Sequence, residues 1–286
     1  MSIDSTITLY NGVVMPKLIQ GLPLIMGLNM PQKQFDEIIR CSLRCNIYAF
    51  DTSHDYGKSE RYLGNALSLL CKEKINRKDI FIVTKIGNGQ QYAGNISECV
   101  DQALKTLQTD YIDLMLLHWP VPNHYIENWK KLEKVYESGK VKAIGIANAQ
   151  VRHLEALLSA DINCAPHVVQ TEIHPFNTCR DLVDYCKEKN IALQACSALC
   201  MMISMVKENT VLQSIAKQKN RTIAQIILRW HVQQTIAPVF RSYDEKHLEE
   251  MREIYNFELS LPEMEVISGL NSDYRYHPES LNCPGF

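Results

Sequence analysis

The sequence has no apolar run near the roughly 20 residues that span a bilayer, so no membrane-embedded class is expected. It has no excess charge of either sign. Thirty Lys and Arg against 32 Asp and Glu give a formal net charge of -2, with neither the basic footprint of a nucleic-acid binder nor an acidic tail. Ten cysteines are present, yet no CxxC pair occurs and none has histidines at zinc-site spacing. Reduced thiols acting as small hydrophobes are expected, with no metal. The opening MSIDSTITLYNGVVMPK lacks a charged start followed by an apolar core and does not read as a secretory signal. A cytoplasmic monomer with neither nucleic-acid nor membrane partners is expected. Also missing are low-complexity stretches, short repeats and a GxGxxG loop, whose absence weakens an open dinucleotide-binding sheet.

What is present is a steady alternation of short β-branched runs and longer amphipathic ones. At 286 residues with 46% apolar content, the chain can build one large core, since α/β barrels of about 250 residues form single domains. Strands are predicted over 18–22, 48–53, 80–86, 111–119, 142–148, 167–173, 191–197 and 236–241. Helices are predicted over 32–45, 58–71, 95–107, 126–138, 152–159, 180–189, 222–233 and 246–255, with Ser59 and Asn95 as caps and Gly139 as a stop. Eight such units without a linker predict a closed (β/α)8 barrel, one domain over residues 1–286. Thr6–Leu9 and Val13–Met15 around Asn11-Gly12 read as an N-terminal hairpin, and the residues after Leu270 as an irregular tail over the barrel mouth. Cys200–Asn209 is a long interruption of the kind that carries function.

Barrel active sites lie at the C-terminal ends of the strands. Three consecutive strands end there on chemistry: YAFDTS on Asp51, with Tyr56 just beyond, IFIVTKI on Lys85, and YIDLMLLHWP on His118. A lysine inside an apolar strand needs a partner, because desolvating a lone ammonium is costly; Asp51 is the natural one. The ammonium is expected to lower the Tyr56 pKa and fit it to donate a proton to a developing alkoxide, with His118 orienting the substrate oxygen. No nucleophile–base pair and no glycosidase-like carboxylate pair is apparent. Proton donation coupled to hydride transfer fits, and the hydride must come from a cofactor.

FDTSHDYGKSERYLG, VTKI, DLMLLHWP, GKVKAIGIAN, QTEIHPF and AQIILRW together resemble the aldo-keto reductases through nearly the whole chain. The closing FELSLPEMEVISGLNSDYRYHP is similar to short-tailed members of the prostaglandin F synthase and 2,5-diketo-gluconate reductase type. The resemblance implies reduction of an aldehyde or ketone, with Tyr56 as general acid, Lys85 and Asp51 tuning it, and His118 polarising the carbonyl. It implies that Asn148 and Gln170 hold the nicotinamide carboxamide. It places Cys196, Ser197, Leu199, Arg241, Ser242, His247 and Glu250 along the rest of an extended cofactor. The substrate pocket would be walled by Pro23, Leu24, Trp119, Tyr274 and Tyr276.

The departures from the family pattern cluster on the cofactor side. Cys196 stands where an aromatic usually stacks on nicotinamide, and Cys200-Met201-Met202 follows in place of Pro and Gly. Ala147 replaces a serine, Arg241 a lysine, His247 an arginine and Met251 an asparagine. Arg241 can fork onto a phosphate, Ser242 can add a hydrogen bond, and His247 carries full charge only when protonated. NADPH is therefore expected ahead of NADH. The altered 196–202 stretch also motivates two alternatives: a binding or regulatory protein on a reductase barrel, and a redox or soft-metal patch at Cys196 and Cys200.

Overall fold

The computed structural model describes residues 5–23, 30–73, 75–278 and 283. Two short strands, β1 (Thr6–Thr8) and β2 (Val14–Pro16), pair antiparallel as the expected hairpin, with Ile7 opposite Met15. Eight parallel strands follow: β3 (Ile19–Gly21), β4 (Ala49–Asp51), β5 (Phe81–Ile86), β6 (Leu114–Leu117), β7 (Ile144–Ala147), β8 (Val168–Glu172), β9 (Ala192–Cys196) and β10 (Ile236–Phe240). They run in sequence order around a closed barrel, shut where Val239 and Phe240 of β10 pair with Ile19 and Gln20 of β3. The (β/α)8 barrel is thus as expected. Strands buried on both faces explain the near-continuous apolar runs.

Two apolar clusters divide the interior. The larger lies between strands and helices, with Phe35, Leu63, Trp129, Leu154 and Trp230 fully buried. The smaller fills the barrel floor, where Met15, Leu9 and Ile7 of the hairpin meet Ile19, Ala49, Phe81, Leu114, Val168 and Ala237. The hairpin therefore plugs the N-terminal end and leaves the C-terminal end as the mouth. Across that end runs the tail: Ser272 and Tyr274 donate backbone N–H groups to Phe176 O, Tyr276 and His277 donate theirs to the Glu172 carboxylate, and Cys283 packs on Trp119 and Val121.

Several local expectations need correction. Ser59 is no cap: it lies inside helix Ser59–Lys72, and its hydroxyl donates to Leu22 O, tying that helix to the end of β3. Asn95 occupies the N-cap position of Ile96–Leu107, but its side chain makes no cap bond. Gly139 does follow a helix end, with φ of 77°. Helix Thr210–Lys219 was not expected from the sequence; its face is only Leu212, Ile215 and Ala216, too short a stripe to announce itself, and Asn209 caps it by accepting from Leu212 N at 3.0 Å. Asn88–Ala93 and Leu261–Ser268 are likewise additional helices. Among the described residues, no helix is long and apolar enough to cross a membrane.

Candidate active site

Adjacent parallel strands bring the tetrad together by register. Asp51 pairs with Val83 across β4 and β5, so Lys85, two residues on, projects from the same face into the same layer. Its Nζ donates to Asp51 Oδ1 at 2.7 Å, to Oδ2 at 2.8 Å and to Thr52 O at 3.0 Å. Both side chains are nearly inaccessible, at 1% and 3% exposure. Gln170 of β8 crosses the barrel and donates to Asp51 Oδ2 at 2.8 Å and to Gln194 Oε1 at 2.8 Å. Burial is the largest single influence on the Lys85 ammonium and works against it, but Asp51, Tyr56 and Cys196 together outweigh it and leave the lysine pKa raised. This is a buried ion pair, and removing one member strands the other at a cost of about 3–5 kcal/mol.

Tyr56 lies just beyond β4, its ring centroid 4.8 Å from Lys85 Nζ and 5.7 Å from the His118 ring. The expected lowering of its pKa is not what the site produces. Burial dominates and pushes the phenol up to about 12; Lys85 pulls it down, while Asp51 and Cys196 push the other way. The phenol is therefore a protonated donor throughout the neutral range. His118 follows β6 directly, and burial lowers its pKa against the pull of an Asp55 hydrogen bond, so its imidazole is neutral near pH 7. Its Nδ1 lies 2.8 Å from Asp55 Oδ2 and 3.4 Å from Ser53 Oγ.

Asn148 follows β7 with φ of 59°, and its Nδ2 donates to His118 O at 3.0 Å. The Asn148 and Gln170 side-chain oxygens have no protein partner among the described residues. Two such acceptors at a barrel mouth suit the N–H groups of a carboxamide.

Beyond β9 and β10 the expected cofactor residues are more scattered. Cys196 ends β9 opposite Glu172, and burial pushes its thiol pKa far up. Cys200 is likewise raised, to about 12, so neither is a thiolate. No group of three metal-ligating side chains occurs among the described residues. Ser197, Cys200, Met201 and Met202 all have positive φ, between 45° and 51°, and Met202 N donates to Leu199 O at 2.9 Å. Arg241 is exposed, its Nη2 3.8 Å from Met201 Sδ. Ser242 Oγ bonds the 244 backbone, and Asp244 caps helix Glu245–Arg252 by accepting from His247 N. Glu250 lines a surface hollow of about 960 Å³, bordered by Arg44, Lys217 and Glu245 outside the barrel, and its carbonyl accepts from Gln225. This hollow is remote in character from the tetrad: it is open, mixed in charge and has no strand end in its lining.

Of the expected pocket wall, Trp119 is buried under Cys283, Tyr274 and Tyr276 are 37% exposed, and Pro23 is half-buried. Leu24 lies outside the described residues. Two residues of the mouth were not anticipated. Glu172, which anchors the tail and pairs with buried His174 at 3.0 Å, did carry a signal, being an acid at a strand end like Asp51. Asp55 carried none beyond its place beside Tyr56.

A family model described as the Aldo/keto reductase family matches residues 21–272. The chain is 36% identical over 277 residues to the glyoxal reductase of Bacillus subtilis (strain 168), covering 97% of this chain and 96% of that one. It is 31% identical over 284 residues to methylglyoxal reductase DkgA of Escherichia coli (strain K12), covering 98% of each. Among solved structures, the aldo-keto reductase MGS-M4 from a Medee basin deep-sea metagenome library superposes with a TM-score of 0.88 at 30% identity, covering 95% of this chain and 97% of that one. The chain belongs to the aldo/keto reductase family and is an oxidoreductase acting on carbonyl groups.

Proposed function

We propose that the protein reduces a small aldehyde or ketone to an alcohol with NADPH, with Tyr56 supplying the proton. The observation that carries this is the buried Lys85–Asp51 pair beside a protonated phenol. When bound, the dinucleotide supplies a hydride to the carbonyl carbon and is oxidised. As the carbonyl oxygen gains charge, Tyr56 transfers its proton there; Lys85, fixed as a cation, lowers the energy of the phenolate left behind. The proton on Tyr56 is regained from solvent through the mouth. The Asn148 and Gln170 oxygens hold the carboxamide, while Arg241 and Ser242 take the 2′-phosphate that distinguishes NADPH from NADH. Cys196 adds no ring to this grip, so hydrogen bonds and charge replace stacking.

Pro23, Trp119, Tyr274 and Tyr276 wall the pocket, and the relatives named glyoxal and methylglyoxal reductases make short reactive dicarbonyls the first compounds to try. With methylglyoxal and NADPH, cofactor oxidation is expected as a loss of absorbance at ~340 nm, where reduced nicotinamide absorbs. Tyr56→Phe should cut the turnover roughly a thousandfold while leaving NADPH quenching intact. Equal inertness of both proteins across a panel of aldehydes, with cofactor still bound, would overturn the reading.

A further inference from the structure

Gln20 of β3 is fully buried between two phenylalanines. It stands in register with Phe50 of β4 and with Phe240 of β10, both of which belong to the apolar layer between strands and helices. An amide in such a layer costs stability unless both of its ends are bonded. Here both are. Oε1 accepts from the hydroxyl of Ser42 on helix Gln32–Arg44, and Nε2 donates to the Ser242 carbonyl at 2.8 Å. A carbonyl can only accept, so this contact fixes which way round the amide lies.

Ser242 lies beyond the end of the sheet. The ladder between β3 and β10 stops where Gln20 pairs with Phe240, and the chain then runs without regular structure from Arg241 to Asp244. The Gln20 side chain reaches past that last rung and holds the carbonyl beyond it. A second bond runs the opposite way: the Tyr243 hydroxyl donates to Pro23 O, after β3, at 3.1 Å. Burial pushes the Tyr243 phenol up to about 12 against the pull of Arg241, so the hydroxyl keeps its proton. Two side chains, one from each strand's end, thus extend the seam that closes the barrel.

The stretch they hold carries Arg241 and Ser242. Arg241 is exposed, and an exposed charge is screened by salt, so it picks out a phosphate well only when its fork is correctly aimed. A loose Ser242 peptide would misplace the guanidinium and the hydroxyl together. The loss would fall on the phosphate, the part of the dinucleotide that both groups meet.

We infer that Gln20 and Tyr243 are positioning residues for the cofactor: by holding the chain at Ser242 against β3, they aim Arg241 and Ser242 at the 2′-phosphate and so set the preference for NADPH over NADH. This assignment rests on the phosphate role proposed above for Arg241 and Ser242, and it names the residues that give that pair its geometry.

The test reads the ratio of the NADH and NADPH dissociation constants, by quenching of protein fluorescence, with the melting temperature measured alongside. Gln20→Met keeps the length of the side chain but makes neither bond. The ratio is expected to fall about fivefold, through weaker NADPH binding with NADH binding unchanged. Tyr243→Phe loses only a hydroxyl and should lower the ratio by about threefold; it decides the matter alone if Gln20→Met does not fold. Ser42→Ala loosens the same layer but leaves the bond to Ser242 in place, so it should lower the melting temperature and keep the ratio. An unchanged ratio in either folded brace variant overturns the inference. So does an equal fall in Ser42→Ala, which would make the effect one of general loosening. Arg241→Ala separates the brace from the grip it serves. If that variant lowers the ratio and the brace variants do not, the phosphate role stands and the brace falls. If Arg241→Ala leaves the ratio unchanged, the phosphate role itself fails and the brace falls with it.

Discussion

On the β4–β6 side of the mouth, side chains are held by other side chains: Lys85 by Asp51, Asp51 by Gln170, and the His118 ring by Asp55. On the β9–β10 side, the backbone carries the shape. Four non-glycine residues within 197–202 sit in the left-handed region, Met201 is 36% exposed, and among the described residues Arg241 hydrogen-bonds only to a thioether. Left-handed backbone at a methionine costs of order 1 kcal/mol or more and persists where its surroundings over-determine it or where it serves a ligand. The first side is organised by contacts among its own side chains; the second is organised by the path of its backbone.

The sharpest way to break this contrast is to remove a charge from the organised side. Lys85→Met leaves Asp51 buried without its ammonium. It is expected to lower turnover roughly a hundredfold or more and to cost about 3 kcal/mol of stability, read together by kinetics and thermal melting. If stability is untouched, the Lys85–Asp51 pair does not brace the barrel mouth. The opposite side should respond in the complementary way. Arg241→Ala should weaken NADPH by about tenfold in a fluorescence titration, leave NADH binding and the melting temperature alone, and change saturated turnover by no more than about twofold. Loss of stability there would erase the distinction.

The smallest expected effect is in the pH profile. Because burial raises the Tyr56 pKa to about 12, the acid stays protonated, and carbonyl reduction should be flat through the neutral and mildly alkaline range. Alcohol oxidation needs the phenolate, so its rate should climb about tenfold per pH unit below that pKa. A reduction limb that already falls at about pH 8 would mean that Lys85 outweighs desolvation after all.

How much of this could be read from the residues depends on whether burial or long-range approach does the deciding. Lys85 announced its partner, since an ammonium inside a β strand has few ways to exist, and Asp51 was the acid one strand away. The barrel followed from eight apolar runs at strand length. The direction of the Tyr56 shift did not follow, because it is a balance of desolvation against one cation, and only the degree of enclosure settles the sign. Asp55 looked like an ordinary loop acid until the fold brought it to His118, 63 residues away, through a gap that Gly87 leaves open. Ser59 resembled a helix cap because its composition fits one; its hydroxyl was claimed by Leu22 O on a neighbouring strand end.

The pairing of Ile19 and Gln20 with Val239 and Phe240 also sets a schedule for synthesis. During translation β3 emerges near the beginning, but its second neighbour leaves the ribosome some 220 residues later, about 10–40 s at usual elongation rates. Until then an apolar strand has a free edge, which is an invitation to pair with other chains. The hairpin cluster at Met15, Leu9 and Ile7 is available from the first moments to cover the floor of that incomplete sheet. Cys283, which packs on Trp119, follows β10 in the chain, so a nascent chain acquires its charge pair well before the barrel mouth is covered.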